Sequence, residues 1–121
     1  RPLAPIRQLQ QSGLSVAIGG DNVQDSWFPA GNFDPLALMA FSLPLAQVAP
    51  WQRLGLSLFT TSAASLMGLE WEGTFQVGSP ADFVLLDANT WAEALSSPPN
   101  RQVIIRGKFF NGFFGNSLSS K

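Results

Sequence analysis

The segment Leu14-Ser15-Val16-Ala17-Ile18-Gly19 constrains this chain most strongly. Extended residues alternate between the two faces of a strand. Here Leu14, Val16 and Ile18 share one bulky face, and Ser15, Ala17 and Gly19 share a small one. Neither face carries charge. Such a strand must be covered on both sides, as in a parallel sheet flanked by helices. If helices cover the bulky face, the small face looks into a confined interior. Gly20 and Asp21 follow directly. Asp21 has the parity of the small face and would project inward at the C-terminal end of the strand, the end at which α/β folds bind ligands.

The flanking pattern is helical. Leu3, Ile6 and Leu9 or Gln10 fall on one face of a predicted helix over 3–11, with Pro5 in its first turn and Gly13 as its stop. Residues 22–34 read as a loop with a turn at Pro29-Ala30-Gly31. Asp34 caps a helix whose first residue is Pro35 and whose apolar stripe is Leu36, Met39, Ala40 and Leu43. Pro44 predicts a kink or break. A third helix is expected after Thr60-Thr61-Ser62, capped by one of those hydroxyls and ended by Gly68. Beyond Gly68 the pattern turns to strands: Thr74–Val77, Ala81–Leu86 and Val103–Arg106, with a short helical turn over Trp91–Ser96. Asn111-Gly112 between two Phe pairs predicts a two-residue hairpin.

At 121 residues the chain suits one ordinary domain, and 45% hydrophobic residues support a core. Only 12% are charged, about half the usual share. The surface is therefore either polar but poor in charge, or partly covered by something else. The seven basic residues are scattered and the net charge is −1, which argues against a nucleic-acid surface. From Pro35 to Gln52 no residue is charged, yet Pro35, Pro44, Pro50 and Gln47 argue against a membrane span. There is no cysteine, which excludes disulfides and thiolate sites and fits a reducing compartment, so the cytoplasm is the expected location. Position 1 is Arg, with no signal-peptide pattern behind it, so the chain reads as processed or partial.

Asp21 is the leading candidate for chemistry, with two readings. It is either a metal ligand and proton shuttle, or an acid that caps backbone amides in the Gly-Gly turn. Asp25 reads as an acceptor that fixes the loop, and Asp34 as a helix cap. Trp27 either stacks on a planar ligand or packs. Glu70 and Glu72 share one face, expected to be wet. Without His or Cys there is no Ser-His or Cys-His pair, and no Gly-rich phosphate motif occurs. A hydrolytic metal needs about three protein ligands, usually including His. The residues thus show one well-placed acid and no self-sufficient site.

Three stretches carry a family resemblance: "SGLSVAIGGDNVQDSWFPAGNFDPL", "FTTSAASLMGL", and "GTFQVGSPADFVLLDANTW" followed by "VIIRGKFF". In this order they resemble the C-terminal part of metal-dependent amidohydrolases, cytosine deaminase-like enzymes in particular. The first is similar to the last barrel strand and its loop, the second to a Thr-x-x-x-Ala-x-x-Leu-Gly-Leu helix. The third is similar to the Gly-x-x-x-x-Gly-x-x-Ala-Asp return into a small β-sandwich.

The resemblance implies an α/β fold: residues 1–68 as the C-terminal part of a (β/α)₈ TIM-type barrel, and residues 69–121 as strands of the small β-sandwich. A whole barrel needs about 250 residues, so the N-terminal remainder of the barrel is an implied partner. It would bring the family's histidines. Asp21 corresponds to the aspartate that ligates the metal and relays protons. Asn22 stands where a second acid is common near the substrate ring. Trp27 corresponds to a loop aromatic at the substrate pocket, with Ser26 in place of the usual proline. Asp82 is structural. The implied cofactor is one divalent metal ion, zinc or iron, and the implied substrate a small planar nitrogen heterocycle. The fragment alone is expected to be inactive and sticky. Rival readings are an amidohydrolase acting on another cyclic amide or triazine-like ring, and a non-catalytic binding or assembly module. Oligomerisation stays open, a homo-oligomer included.

Overall fold

The computed structural model describes residues 3–49, 55–97 and 99–110. Helix α1 spans Ile6–Gln11. It begins three residues later than the apolar spacing suggests, with Pro5 as its N-cap residue and Leu3 exposed. Gly13 ends it as expected. At φ 81° it lets its own N–H reach the Gln10 carbonyl and the Leu14 N–H reach that of Leu9.

Helix α2 spans Pro35–Leu45. The Asp34 carboxylate accepts from the Leu36 N–H at 3.0 Å, and Pro35 occupies the first position, where its missing donor costs nothing. Pro44 stops the helix rather than kinking it. The helix closes one residue later, where Gln47 takes a left-handed φ of 54° and the Val48 N–H returns to the Leu43 carbonyl. A 3₁₀ turn at Leu56–Phe59, unmarked in the sequence, precedes helix α3, Thr61–Leu66. The expected hydroxyl cap of α3 is absent. The Thr60 Oγ1 instead donates backwards to the Leu56 carbonyl at 3.0 Å, because the preceding turn leaves that oxygen within reach. Gly68, at φ 67°, ends this helix as predicted.

Met39, Leu43, Val48 and Leu58 form the buried core. Ile6, Val16, Ile18, Leu36, Trp91 and Leu95 pack around it. Leu14–Gly20 is neither helix nor strand; Val16 and Ile18 pack against the core as the alternation predicts, whereas Leu14, assigned to the same face, is 56% exposed. The segment is tied down where the Ile18 N–H donates to the Leu58 carbonyl at 2.9 Å. It forms no ladder, which corrects the predicted strand. A strand is defined by backbone pairing, and no described segment forms a ladder with it. Ser15, Ala17 and Gly19, the small face, are exposed.

Strands β1 (Phe83–Leu86), β2 (Arg101–Ile105) and β3 (Lys108–Phe109) make an antiparallel sheet in that order. Phe83 pairs with Ile104, and Ile104 with Phe109. The β2–β3 turn is Arg106-Gly107, with φ of 52° and 73°. These are the two positive angles of a tight hairpin that matches strand twist. Asp82 secures it. Its Oδ1 accepts from the Arg106 N–H at 2.6 Å, beside a bond from the Gly107 N–H to the Ala81 carbonyl. The Ala81-Asp82 pair is thus occupied by the turn, and β1 starts only at Phe83. The hairpin expected at Asn111-Gly112 lies outside the described residues. Thr74–Val77 forms no strand: no described segment pairs with it, and Val77 is fully exposed.

Helix α4 spans Trp91–Ser96. Thr90 Oγ1 accepts from the Glu93 N–H, and Glu93 reaches back to the Asn89 N–H, a reciprocal cap of two free donors. Among the described residues no helix is long and apolar enough to cross a membrane.

Candidate functional site

The Leu14–Gly20 segment delivers Asp21 to the surface just beyond the core. Its carboxylate is exposed and takes no hydrogen bond among the described residues. The Gly-Gly turn does not use it as a cap. The loop that follows is organised by a different acid. Asp25 Oδ2 accepts from Asn22 Nδ2 at 2.7 Å, and Asp25 Oδ1 accepts from the Trp27 and Phe28 N–H groups at 2.9 and 2.8 Å. The Asn22 bond, followed by the Phe28 N–H, holds the Asp25 carboxyl below its ordinary value of 3.8. Asp25 therefore fixes the loop, as its sequence position suggested.

These bonds sort the candidates. Asn22 is drawn to Asp25 through its amide nitrogen, which leaves its side-chain oxygen unused by that contact. Trp27 is 86% exposed, so packing within the described chain does not explain it. Glu70 and Glu72 are both exposed. No group of three His, Cys, Asp or Glu side chains among the described residues is arranged to hold a metal.

The loop is folded tightly on itself at Gly31, which is buried. A Cβ there would lie 2.8 Å from Phe28 Cδ1, 2.9 Å from the Asn22 carbonyl oxygen and 3.0 Å from the Val23 Cα. The last two are backbone atoms that cannot swing aside. Gly31→Ala is expected to destabilise the full-length protein by about 2 kcal/mol, as overpacking does. A denaturation midpoint unchanged from wild type would show that the loop has room.

The loop closes at Asp34. Asn32 Oδ1 accepts from the Asp34 N–H at 3.1 Å. Arg101, from β2, then grips the Asp34 carboxylate with two parallel bonds of 2.8 and 2.9 Å. This contact, with burial opposing it, lowers the Asp34 carboxyl and raises the Arg101 guanidinium. Sequence reasoning found the helix cap and missed Arg101. No local signal links two residues that lie 67 positions apart.

The model of the amidohydrolase family matches residues 1–110. The chain belongs to the amidohydrolase family. This amidohydrolase chain is 30% identical over 106 residues to the pterin deaminase of Rhizobium rhizogenes, covering 88% of itself and 24% of that protein. Its fold matches 5-methylcytosine deaminase from Klebsiella pneumoniae liganded with 5-fluorocytosine, with a TM-score of 0.70 at 24% identity. That match covers 98% of this chain and 29% of the other. It also matches N-isopropylammelide isopropylaminohydrolase from Burkholderia multivorans, with a TM-score of 0.72 at 30% identity, over 87% of this chain and 27% of that one. The amidohydrolase chain thus spans about a quarter of the length of the curated relatives it matches.

Proposed function

We propose that these residues are the C-terminal segment of a cytoplasmic, metal-dependent hydrolase that deaminates a planar, cytosine-like nitrogen heterocycle. Residues 1–68 would close a TIM-type barrel and residues 69–121 would supply strands of a small sandwich. The observation that carries the reading is the exposed Asp21 carboxylate at the end of a segment anchored to the core by the Ile18–Leu58 bond, while a separate acid builds the loop beside it. With no structural bond to break, this carboxylate is available to a ligand.

One carboxylate oxygen fits one position of a zinc or iron site. The chain has no His or Cys to complete the set. The other ligands are assigned to the N-terminal remainder of the barrel, and the 121 residues alone are assigned no activity. A divalent ion, when bound, lowers the pKa of water at such a site. Asp21 takes the proton of the attacking water as a general base. It delivers that proton to the ring nitrogen as the C–O bond forms, and the second water proton passes from the new hydroxyl to the departing amine as the C–N bond breaks, leaving the ring carbonyl and ammonia. Asn22 offers its side-chain oxygen to a donor on the ring. The exposed Trp27 indole offers a face for stacking.

A second reading, hydrolysis of a substituted C–N bond on another ring, is favoured by the 30% identity to the N-isopropylammelide enzyme. One assay separates the two. The full-length protein, loaded with zinc or iron, is given cytosine, 5-methylcytosine, pterin and N-isopropylammelide. Ammonia release from cytosine-type rings is expected. Isopropylamine release alone supports the second reading, and no release from any ring by metal-loaded protein overturns both.

A further inference from the structure

We propose that Arg101 is a positioning residue for the substrate-binding loop, acting through Asp34 from the other end of the chain. The proposal rests on the site reading given above, in which Asn22 and Trp27 meet the substrate. Asp34 is the point where the 22–33 loop becomes helix α2, and it carries two loads. Its Oδ1 caps the helix through the Leu36 N–H, and both oxygens accept from Arg101. A cap alone needs one bond. The two-pronged grip fixes the carboxylate in plane as well as in distance. From Asp34 the constraint runs back along the loop. Asn32 Oδ1 holds the Asp34 N–H, and Gly31 sits against the Asn22 carbonyl and the Val23 backbone. The end of the loop is thereby pressed onto its start, at the residue beside Asp21.

Asp21 has a separate anchor. Its segment is held by Val16 and Ile18 in the core and by the Ile18–Leu58 hydrogen bond. Loss of Arg101 should therefore disturb Asn22 and Trp27 and spare Asp21. In kinetic terms KM should rise while kcat holds, the signature of lost binding rather than lost chemistry. The pair is partly exposed, at 33% and 23%, so the effect is modest, about fivefold.

The test uses full-length Arg101→Ala and Arg101→Lys. Hydrogen exchange at the Trp27 and Phe28 amides is expected to quicken about fivefold in Arg101→Ala, with exchange at Leu43 and Leu58 unchanged. On the substrate found for the wild type, KM should rise by a similar factor at constant kcat. Arg101→Lys keeps the charge without the fork and should fall between the two. Wild-type loop exchange in a folded Arg101→Ala protein overturns the positioning role, whatever the activity. A wild-type enzyme that turns over no ring overturns the functional reading instead, and the exchange result then decides the positioning role by itself.

Discussion

Asp21→Asn in the full-length enzyme is expected to lower kcat about a thousandfold, within the usual worth of a positioned acid–base group. The stability should hardly change. Asp21 is exposed and makes no hydrogen bond among the described residues, so the folded state loses no contact with its charge. The substitution also removes the anionic oxygen assigned to the metal, and metal content measured beside the rate separates the two losses. Normal turnover in a metal-replete Asp21→Asn enzyme would falsify the assignment. A large fall in the melting temperature would instead show that the carboxylate has a structural partner outside the described residues.

Leu58→Ala is expected to cost about 3 kcal/mol, the middle of the range for a leucine removed from a closed core. Leu58 has no exposed surface and sits with Met39, Leu43 and Val48. Its carbonyl also holds the Ile18 N–H. The cavity would open beneath the segment that carries Asp21, so kcat should fall along with stability. Leu58→Met, which conserves volume, should cost less than about 1.5 kcal/mol. The urea midpoint of the full-length protein measures both. A loss below about 1 kcal/mol for alanine would mean that the surroundings collapse into the space, and that Leu58 is no keystone of this core.

Local chemistry carried much of the fold. Gly13 and Gly68 marked helix ends, because only the left-handed angle closes those turns without strain. Asp34-Pro35 marked a helix start. The inward parity of Val16 and Ile18 followed from alternation, but that of Leu14 did not hold: it is exposed. What alternation leaves open is pairing, which depends on a neighbour. Leu14–Gly19 and Thr74–Val77 both read as strands, and neither has a described partner to pair with. Arg106-Gly107 turned the chain although Arg is a poor advertisement for a positive angle. The Asp82 carboxylate stabilises that turn from 24 residues away. Within the candidate site, Asp25 was legible as a loop acid because its partners lie within three positions. The Arg101 grip was not, because its meaning arises only when two distant segments meet.

The separate moorings of Asp21 and its loop bear on how such a site diverges. On the proposed reading, substitutions between Asn22 and Phe33 would change which ring is welcomed, while the segment that carries Asp21 keeps its anchor on the Leu58 carbonyl. A lineage holding such an arrangement would explore new substrates by editing one short stretch, without reinventing its chemistry at each step.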